Sequence, residues 1–218
     1  MVMTMRVVFR SSVSACLLTV VVGAALLAGC QRPKELRVPL DYRPTDRIEV
    51  TGLKVPPTLR LAVTVIDNRP DKSSIGQNSE GSPPVPIYPN EPSPDVFLRD
   101  AVAHEFANAG IPIESDAHRA NKVLSLRLER LWAEETNTYK SSIATDAQLI
   151  DSSGQRLWQG KVTGGSERFG RSLSAENYQE TLSDAVVNLV DNLLRNPAFV
   201  DALNAPAGGA QPSRSRKH

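Results

Sequence analysis

The feature that most restricts the fold is a period of two between apolar and polar residues in the second half of the chain. Leucines occupy alternate positions within Val123–Arg130, and Ser142–Ile150 alternates in the same way. The turn sequence Asp151–Gly154 joins this second stretch to Arg156–Thr163. Because successive side chains of a strand point to opposite faces, the pattern predicts strands with one buried and one solvated face.

One further strand and two helices are predicted from periodicity and end signals. Leu59–Asp67 alternates as a strand does. Ser93 and a proline at the first helical position begin a helix that Gly110 ends. Ser174 caps a second helix that runs to about Arg195. The apolar stripe of this second helix consists of Tyr178, Leu182, Ala185, Val186, Leu189 and Leu193.

These elements predict a two-layer α+β sandwich, with a mixed or antiparallel sheet of about five strands and two helices packed on one face. Ile111–Glu114 is a candidate for the remaining, short strand. Residues 68–93 and 164–172 are expected to be loops, and the first of these contains most of a proline-rich run at 81–94. That run is interpreted as a loop, with an extended recognition strip as the alternative.

The start of the chain has the pattern of an export signal. Arg6 and Arg10 precede an apolar stretch, Val13–Leu27, that is shorter than the roughly 20 residues of a membrane-spanning helix. It ends in Leu27–Ala28–Gly29–Cys30, which resembles the lipobox of bacterial lipoproteins. The resemblance implies that residues 1–29 are removed and that the Cys30 thiol is acylated. Cys16 leaves with the signal, so no disulfide is expected.

The lipobox implies a division of the chain and a location. Residues 30–57 are expected to be an acylated N-terminus and proline-containing spacer, residues 58–204 a periplasmic α+β domain, and residues 205–218 a basic disordered tail. Several acyl chains on Cys30 would anchor the protein stably in a membrane. Glutamine rather than aspartate follows Cys30, which by resemblance to the enterobacterial sorting rule favours the periplasmic face of the outer membrane over the inner membrane.

Charge and motifs argue against nucleic-acid binding and catalysis. The chain has 25 basic and 24 acidic residues, and this balance does not indicate a nucleic-acid partner. His104–Glu105 begins like a zinc motif, but the second histidine is replaced by Asn108. Ser166 lacks the glycine that follows a nucleophile elbow, and Glu134–Glu135 are adjacent on a strand end, where their side chains point apart. We therefore expect no enzyme activity, no metal and no cofactor.

Two polar or exposed segments remain as candidate partner contacts. Asp67, Asn68 and Arg69 form a compact polar cluster at a strand end. Such residues could present Arg69 to an anionic group, but they more often bond the backbone of a turn. Phe169 is the second candidate, because it is an aromatic residue in the expected 164–172 loop.

Several short motifs together resemble the YajG-type family of small envelope lipoproteins. They are the lipobox at Cys30, the segment Tyr42–Pro44, the strand Val63–Arg69 and Ile75–Gly76 downstream. The resemblance covers most of residues 36–204, and the proline-rich run departs from it. It implies a location in the cell envelope and carries over no catalytic residues. A more distant likeness is to auxiliary lipoproteins of envelope transporters.

Taken together, the sequence predicts a non-enzymatic accessory or docking protein of an envelope assembly or transport complex, with the membrane and an envelope protein as partners. The alternative is a carrier of lipids or other small ligands. A carrier needs an apolar cavity. Arg127, Glu129, Asp146 and Gln148 are predicted to lie on the outer sheet face, which argues against one.

Overall fold

A computed structural model describes residues 34–48 and 53–206; Cys30 and the tail from residue 207 onward lie outside these ranges. The described residues form seven strands and three helices. The strands are β1 Leu36–Val38, β2 Leu61–Asp67, β3 Gly76–Asn78, β4 Val85–Pro89, β5 Lys122–Glu135, β6 Thr138–Asp151 and β7 Arg156–Phe169. The helices are α1 Pro94–Asn108, α2 Ala175–Leu194 and α3 Pro197–Asn204. The α+β class is confirmed, whereas five strands and two helices were too few.

All strands belong to one mixed sheet of order β1-β4-β3-β5-β6-β7, with β2 paired to β5 outside this path. β5, β6 and β7 form an antiparallel meander. Both β2 and β3 pair in parallel with the same side of β5, β2 along 122–128 and β3 along 133–135. β4 pairs antiparallel with β3 and parallel with β1. Ile113, in the segment expected to be a strand, makes only an isolated bridge to Leu61.

A bulge explains how β5 can be so long. Leu124, Leu126 and Leu128 are buried, and the register shifts between Leu128 and Arg130. After the shift, Leu131 and other odd-numbered positions face the core. An extra residue in one strand changes which side chains face inward, and this is why the alternation that predicted the strand breaks at Arg130.

Two expected loops contain strands. Residues 68–93 include β3 and β4, which are too short and too rich in proline to show a period of two. Residues 164–169 of the expected 164–172 loop continue β7. The glycine at 164 suggested a loop, but its role is close packing, because a Cβ there would lie 2.0 Å from the Ala185 carbonyl oxygen in α2.

The segment 34–48, expected to belong to a spacer, packs onto the domain. Val38 and Leu40 are buried. The backbone N–H groups of Thr45 and Asp46 donate to the Asp184 carboxylate of α2 at 2.6 and 3.0 Å. Polar groups far along the chain therefore fix this segment, and the local sequence does not contain that information.

Helices α1 and α2 cover one face of the sheet, as predicted. All six residues of the predicted α2 stripe are buried, as are Phe97, Leu98 and Phe106 of α1. α3 extends this layer, where Phe199 packs against Trp158 with ring centroids 5.0 Å apart. The buried Lys122 ammonium donates to carbonyls at the carboxyl end of α3, the shortest being 2.6 Å, and burial lowers the pKa of Lys122. No helix of the described residues has the length and apolar character needed to cross a membrane.

The close approach of β7 and α2 predicts a sharp difference between two adjacent glycines. Gly164→Ala should lower the free energy of unfolding by about 3 kcal/mol or more, because the new methyl group overlaps backbone that cannot move freely. Gly165→Ala is the matched control: its Cβ would lie 3.2 Å from the Ser141 carbonyl oxygen, and we expect a change within about 1 kcal/mol. Urea unfolding of both variants tests this. Equal stabilities would show that the contact is not as tight as described.

Candidate functional site

The predicted contact residues lie in two separate places. Asp67, Asn68 and Arg69 are at the end of β2, beside Leu128 of β5. Phe169 ends β7 and pairs with Thr138. Seven positions along β6 separate these two levels of the sheet, roughly 23 Å. The structure therefore does not bring the two groups together, and each is considered by itself.

The Arg69 side chain is used inside its own turn. It is buried, its guanidinium donates to both Asp67 carboxylate oxygens at 3.0 and 2.9 Å, and it also donates to the carbonyls of Ser74 and Lys72 at 2.9 and 3.3 Å. Burial alone would raise the pKa of Asp67, but the hydrogen bonds and charge of Arg69 outweigh burial and lower the pKa. This geometry supports the turn interpretation, in which Arg69 shapes the loop after β2.

Asn68 lies on the surface beside an exposed apolar residue that the sequence analysis did not single out. Its amide donates to the Glu129 carboxylate at 2.8 Å and its oxygen accepts from Arg127 at 3.3 Å. Ile66, which pairs with Arg127, is 62% exposed. We name Ile66, Asn68, Arg127 and Glu129 the β2 patch. Ile66 occupies an outward position in an alternating strand, and this was the signal available in the sequence.

The β2 patch adjoins a free sheet edge. The backbone of Leu61 bonds to Pro112 and Glu114 at 3.0 and 2.9 Å, on the side of β2 away from β5. Backbone groups alternate in direction along a strand, so those of Val63 and Val65 point to the same side. Within the described ranges, no backbone bond from another segment reaches these two residues.

The opposite edge of the sheet is covered. On β7 the carbonyls of Thr163 and Gly165 each accept a hydrogen bond at 2.8 Å, from the side-chain amides of Asn192 and Asn188 in α2. Side chains that bond to an edge strand reduce its capacity to pair with another chain. The edge of β2 at Val63 and Val65 is thus the more available of the two.

Phe169 is held out from a rigid end of the sheet. It is 91% exposed. The loop that follows is fixed by the Tyr139 hydroxyl, which accepts from the backbone of Ser172 and Ser174 at 3.2 Å, and by Glu135, which accepts from the backbone of Leu173 at 2.9 Å. The chain around Phe169 is ordered by buried groups, so the exposed ring is a built feature of the surface.

The clefts of the described residues are polar. One of about 450 Å³ lies between the 44–48 segment and α1. There Glu105 accepts hydrogen bonds from Tyr42 at 2.8 Å and Asn108 at 3.2 Å. Burial, with a smaller contribution from Glu105, raises the pKa of Tyr42. His104 contacts the Tyr42 ring edge-on, at the rim position predicted for it.

The second cleft, of about 340 Å³, is on the outer sheet face. It is lined by Arg127, Asp146, Ala147, Gln148, Gln159, Gly160 and Lys161. Neither cleft offers an apolar interior. In the part of the chain that the structure describes, no three side chains of the metal-binding types are grouped as ligands.

Comparisons with known proteins assign no family. No family model matches the chain, and no curated protein does. Among solved structures, it is similar to a Xanthomonas campestris protein of family DUF330, with 16% identity over 73% of this chain and 89% of that chain and a TM-score of 0.48. It is also similar to the PelC dodecamer of Paraburkholderia phytofirmans, with 18% identity over 72% and 96% and a TM-score of 0.40.

A third similar structure is a candidate lipoprotein from Caulobacter crescentus, with 15% identity over 49% of this chain and 77% of that chain and a TM-score of 0.36. Structural neighbours thus include a DUF330 protein and a candidate lipoprotein. Identities and TM-scores this low transfer no function to this chain. The resemblance to the YajG-type family stays a prediction.

The role of Arg69 in its turn predicts a large loss of stability when it is truncated. Arg69→Ala leaves the Asp67 carboxylate partly buried without its cation, and the free energy of unfolding at pH 7 should fall by about 3 kcal/mol. Folding lowers the pKa of Asp67, so its contribution is present at neutral pH and is lost as the pH falls below about 4. Arg69→Ala should lack this acid loss. Arg127→Ala, at an exposed position, is the control and should unfold like wild type.

Proposed function

We propose that this chain is a lipoprotein held on the periplasmic face of the bacterial outer membrane by acylated Cys30. There it acts as a non-enzymatic accessory protein that docks onto another component of an envelope assembly or transport complex. The anchor is supported by the export signal and lipobox of the sequence. The docking role is supported by one structural observation, the free edge of β2 beside exposed Ile66.

The β2 edge is suited to pairing with an extended segment of a partner. Such pairing takes affinity from backbone hydrogen bonds, and specificity comes from side chains beside the edge. Val63 and Val65 would supply the backbone groups, and Ile66 and Asn68 would contact the partner's side chains. Arg69 contributes by shaping the turn that borders the edge, and Asp67 by holding Arg69. The partner in this proposal is an envelope protein that presents an exposed strand or extended loop.

The carrier alternative has less support. A lipid or similar ligand is held in an apolar cavity that buries most of its surface. The cleft beside α1 is lined by Asp46, Arg47, His104 and Glu105 among others, and the cleft on the outer sheet face is lined by charged and amide side chains. Mass spectrometry of gently purified protein would reverse this ranking if it found a bound lipid in addition to the anchor.

The anchor is tested by Cys30→Ser in the full-length chain. Without the thiol the acyl chains cannot be attached, and each buried CH₂ contributes about 0.8 kcal/mol to membrane binding. We expect the acylated protein to float with membranes in a density gradient and the variant to lose this mature, membrane-bound form. A variant that is processed normally and still floats would contradict the lipoprotein assignment. Cys16→Ser, in the signal, is the control and should behave as wild type.

Docking at β2 is tested by photo-crosslinking in intact cells from a reactive residue placed at Asn68. Burying an isoleucine contributes about 1.5–3 kcal/mol, so a second substitution, Ile66→Lys, should reduce the crosslinked adduct roughly tenfold or more. Gln159→Lys, on the outer face of β7, is the matched control and should leave the adduct unchanged. An adduct that survives Ile66→Lys would show that the partner does not bind at this edge.

A further inference from the structure

We infer that the end of the sheet where Phe169 lies faces the bilayer, and that Phe169 enters the lipid headgroup region of the membrane that holds the acyl anchor. This inference rests on the proposed acylation of Cys30. It assigns to Phe169 a contact with lipid, distinct from the protein contact proposed at β2.

The topology brings the start of the described chain to the same end of the sheet as Phe169. β1 runs parallel to β4, and β4 is antiparallel to β3. β3 runs parallel to β5, and β7 runs parallel to β5 through the two antiparallel pairs with β6. The first residue of β1 and the last residue of β7 therefore lie toward one end of the sheet, which we name the anchor end.

The strand registers give the levels of these residues. Leu36 shares a row across the sheet with Ile87, Gly76, Ala133, Ser141 and Ser166. Lys34 precedes this row by two residues, and Phe169 extends beyond it by three residues of β7, about 10 Å. The five strand spacings between β1 and β7 place Phe169 roughly 24 Å to the side of Leu36. Lys34 and Phe169 thus project from the same end at similar heights.

The covalent chain limits how far the anchor can be from this end. Cys30 precedes Lys34 by four residues, which span at most about 14 Å in any conformation. A bilayer that holds acyl chains on residue 30 must therefore pass close to the anchor end. The domain cannot be held far from the membrane surface.

The chemistry of the surfaces selects which part of the domain meets the lipid. The outer sheet face carries charged side chains such as Arg127, Asp146 and Lys161, which are poorly suited to contact with the bilayer. At the anchor end, Phe169 is 91% exposed on a fixed backbone. The acids around it have partners: Glu80 pairs with Arg171 at 2.8 Å and Glu167 with Lys140 at 3.2 Å. An exposed aromatic ring among paired charges is suited to the interface of an uncharged bilayer.

The test places a nitroxide label at residue 169 in the full acylated chain. In the proposed mature protein Cys30 is consumed by lipid and Cys16 has left with the signal, so Phe169→Cys supplies the one reactive thiol. The exposure of Phe169 means that the substitution should not affect folding. The control is Ile66→Cys, the other exposed large apolar residue of the described chain, roughly 25 Å from Phe169 along the strands.

Accessibility of each label to oxygen and to a water-soluble nickel complex is measured by spin-label power saturation in phosphatidylcholine vesicles. We expect the ratio of oxygen to nickel accessibility to be several-fold higher at residue 169 than at residue 66. If the protein floats with the vesicles but both labels have equal, aqueous ratios, the lipid contact is refuted while the anchor stands, and Phe169 is then available to a protein partner. If the protein does not float, the anchor fails and the inference fails with it.

Discussion

Both surfaces to which a role is assigned depend on the position of one long strand. β5 is paired on both sides, by β6 along its whole length and by β2 and β3 in succession on the other side. The bulge between Leu128 and Arg130 separates the part that pairs with β2 from the part that pairs with β3. β2 can therefore end, and its chain turn away at Arg69, while the sheet continues to the anchor end. Without the bulge, a single strand of this length could not keep leucines toward the helices on both sides of that point.

Residues without large side chains set the spacing between the layers. Gly76 lies so close to β5 that a Cβ would be 2.0 Å from the Ala133 carbonyl oxygen, and Gly164 meets α2 at the same distance. These contacts bring the backbone of neighbouring elements together, and they leave Asn188 and Asn192 within reach of the β7 edge. The consequence is an asymmetric sheet, in which one edge is covered by its own helix and the other is available for binding.

The sequence predicted those elements whose signal is local. The half-buried strands β2, β5, β6 and β7 alternate, and helices α1 and α2 carry apolar stripes between recognisable end signals, so all six were found, although β7 was ended too early. β3 and β4 could not be found, because three and five residues are too few to establish a period. Of the site, the turn at Asp67–Arg69 and the exposure of Phe169 agree with local patterns. The availability of Ile66 depends on what covers the sheet, and the fixation of residues 43–46 depends on Ser183 and Asp184, both of which are properties of the tertiary structure.

The path of residues 34–48 has a mechanical consequence for a protein tethered by its N-terminus. Tension on the tether would act along β1, whose parallel ladder to β4 runs in the direction of the pull. Such a load shears several hydrogen bonds at once, whereas a load across the ladder would open them one by one. Behind β1, the bonds from Thr45 and Asp46 to Asp184 connect the same segment to the middle of α2. Force would thus pass into the core of the domain before the segment could peel away, which suits a module that binds a large assembly while it remains attached to a fluid surface.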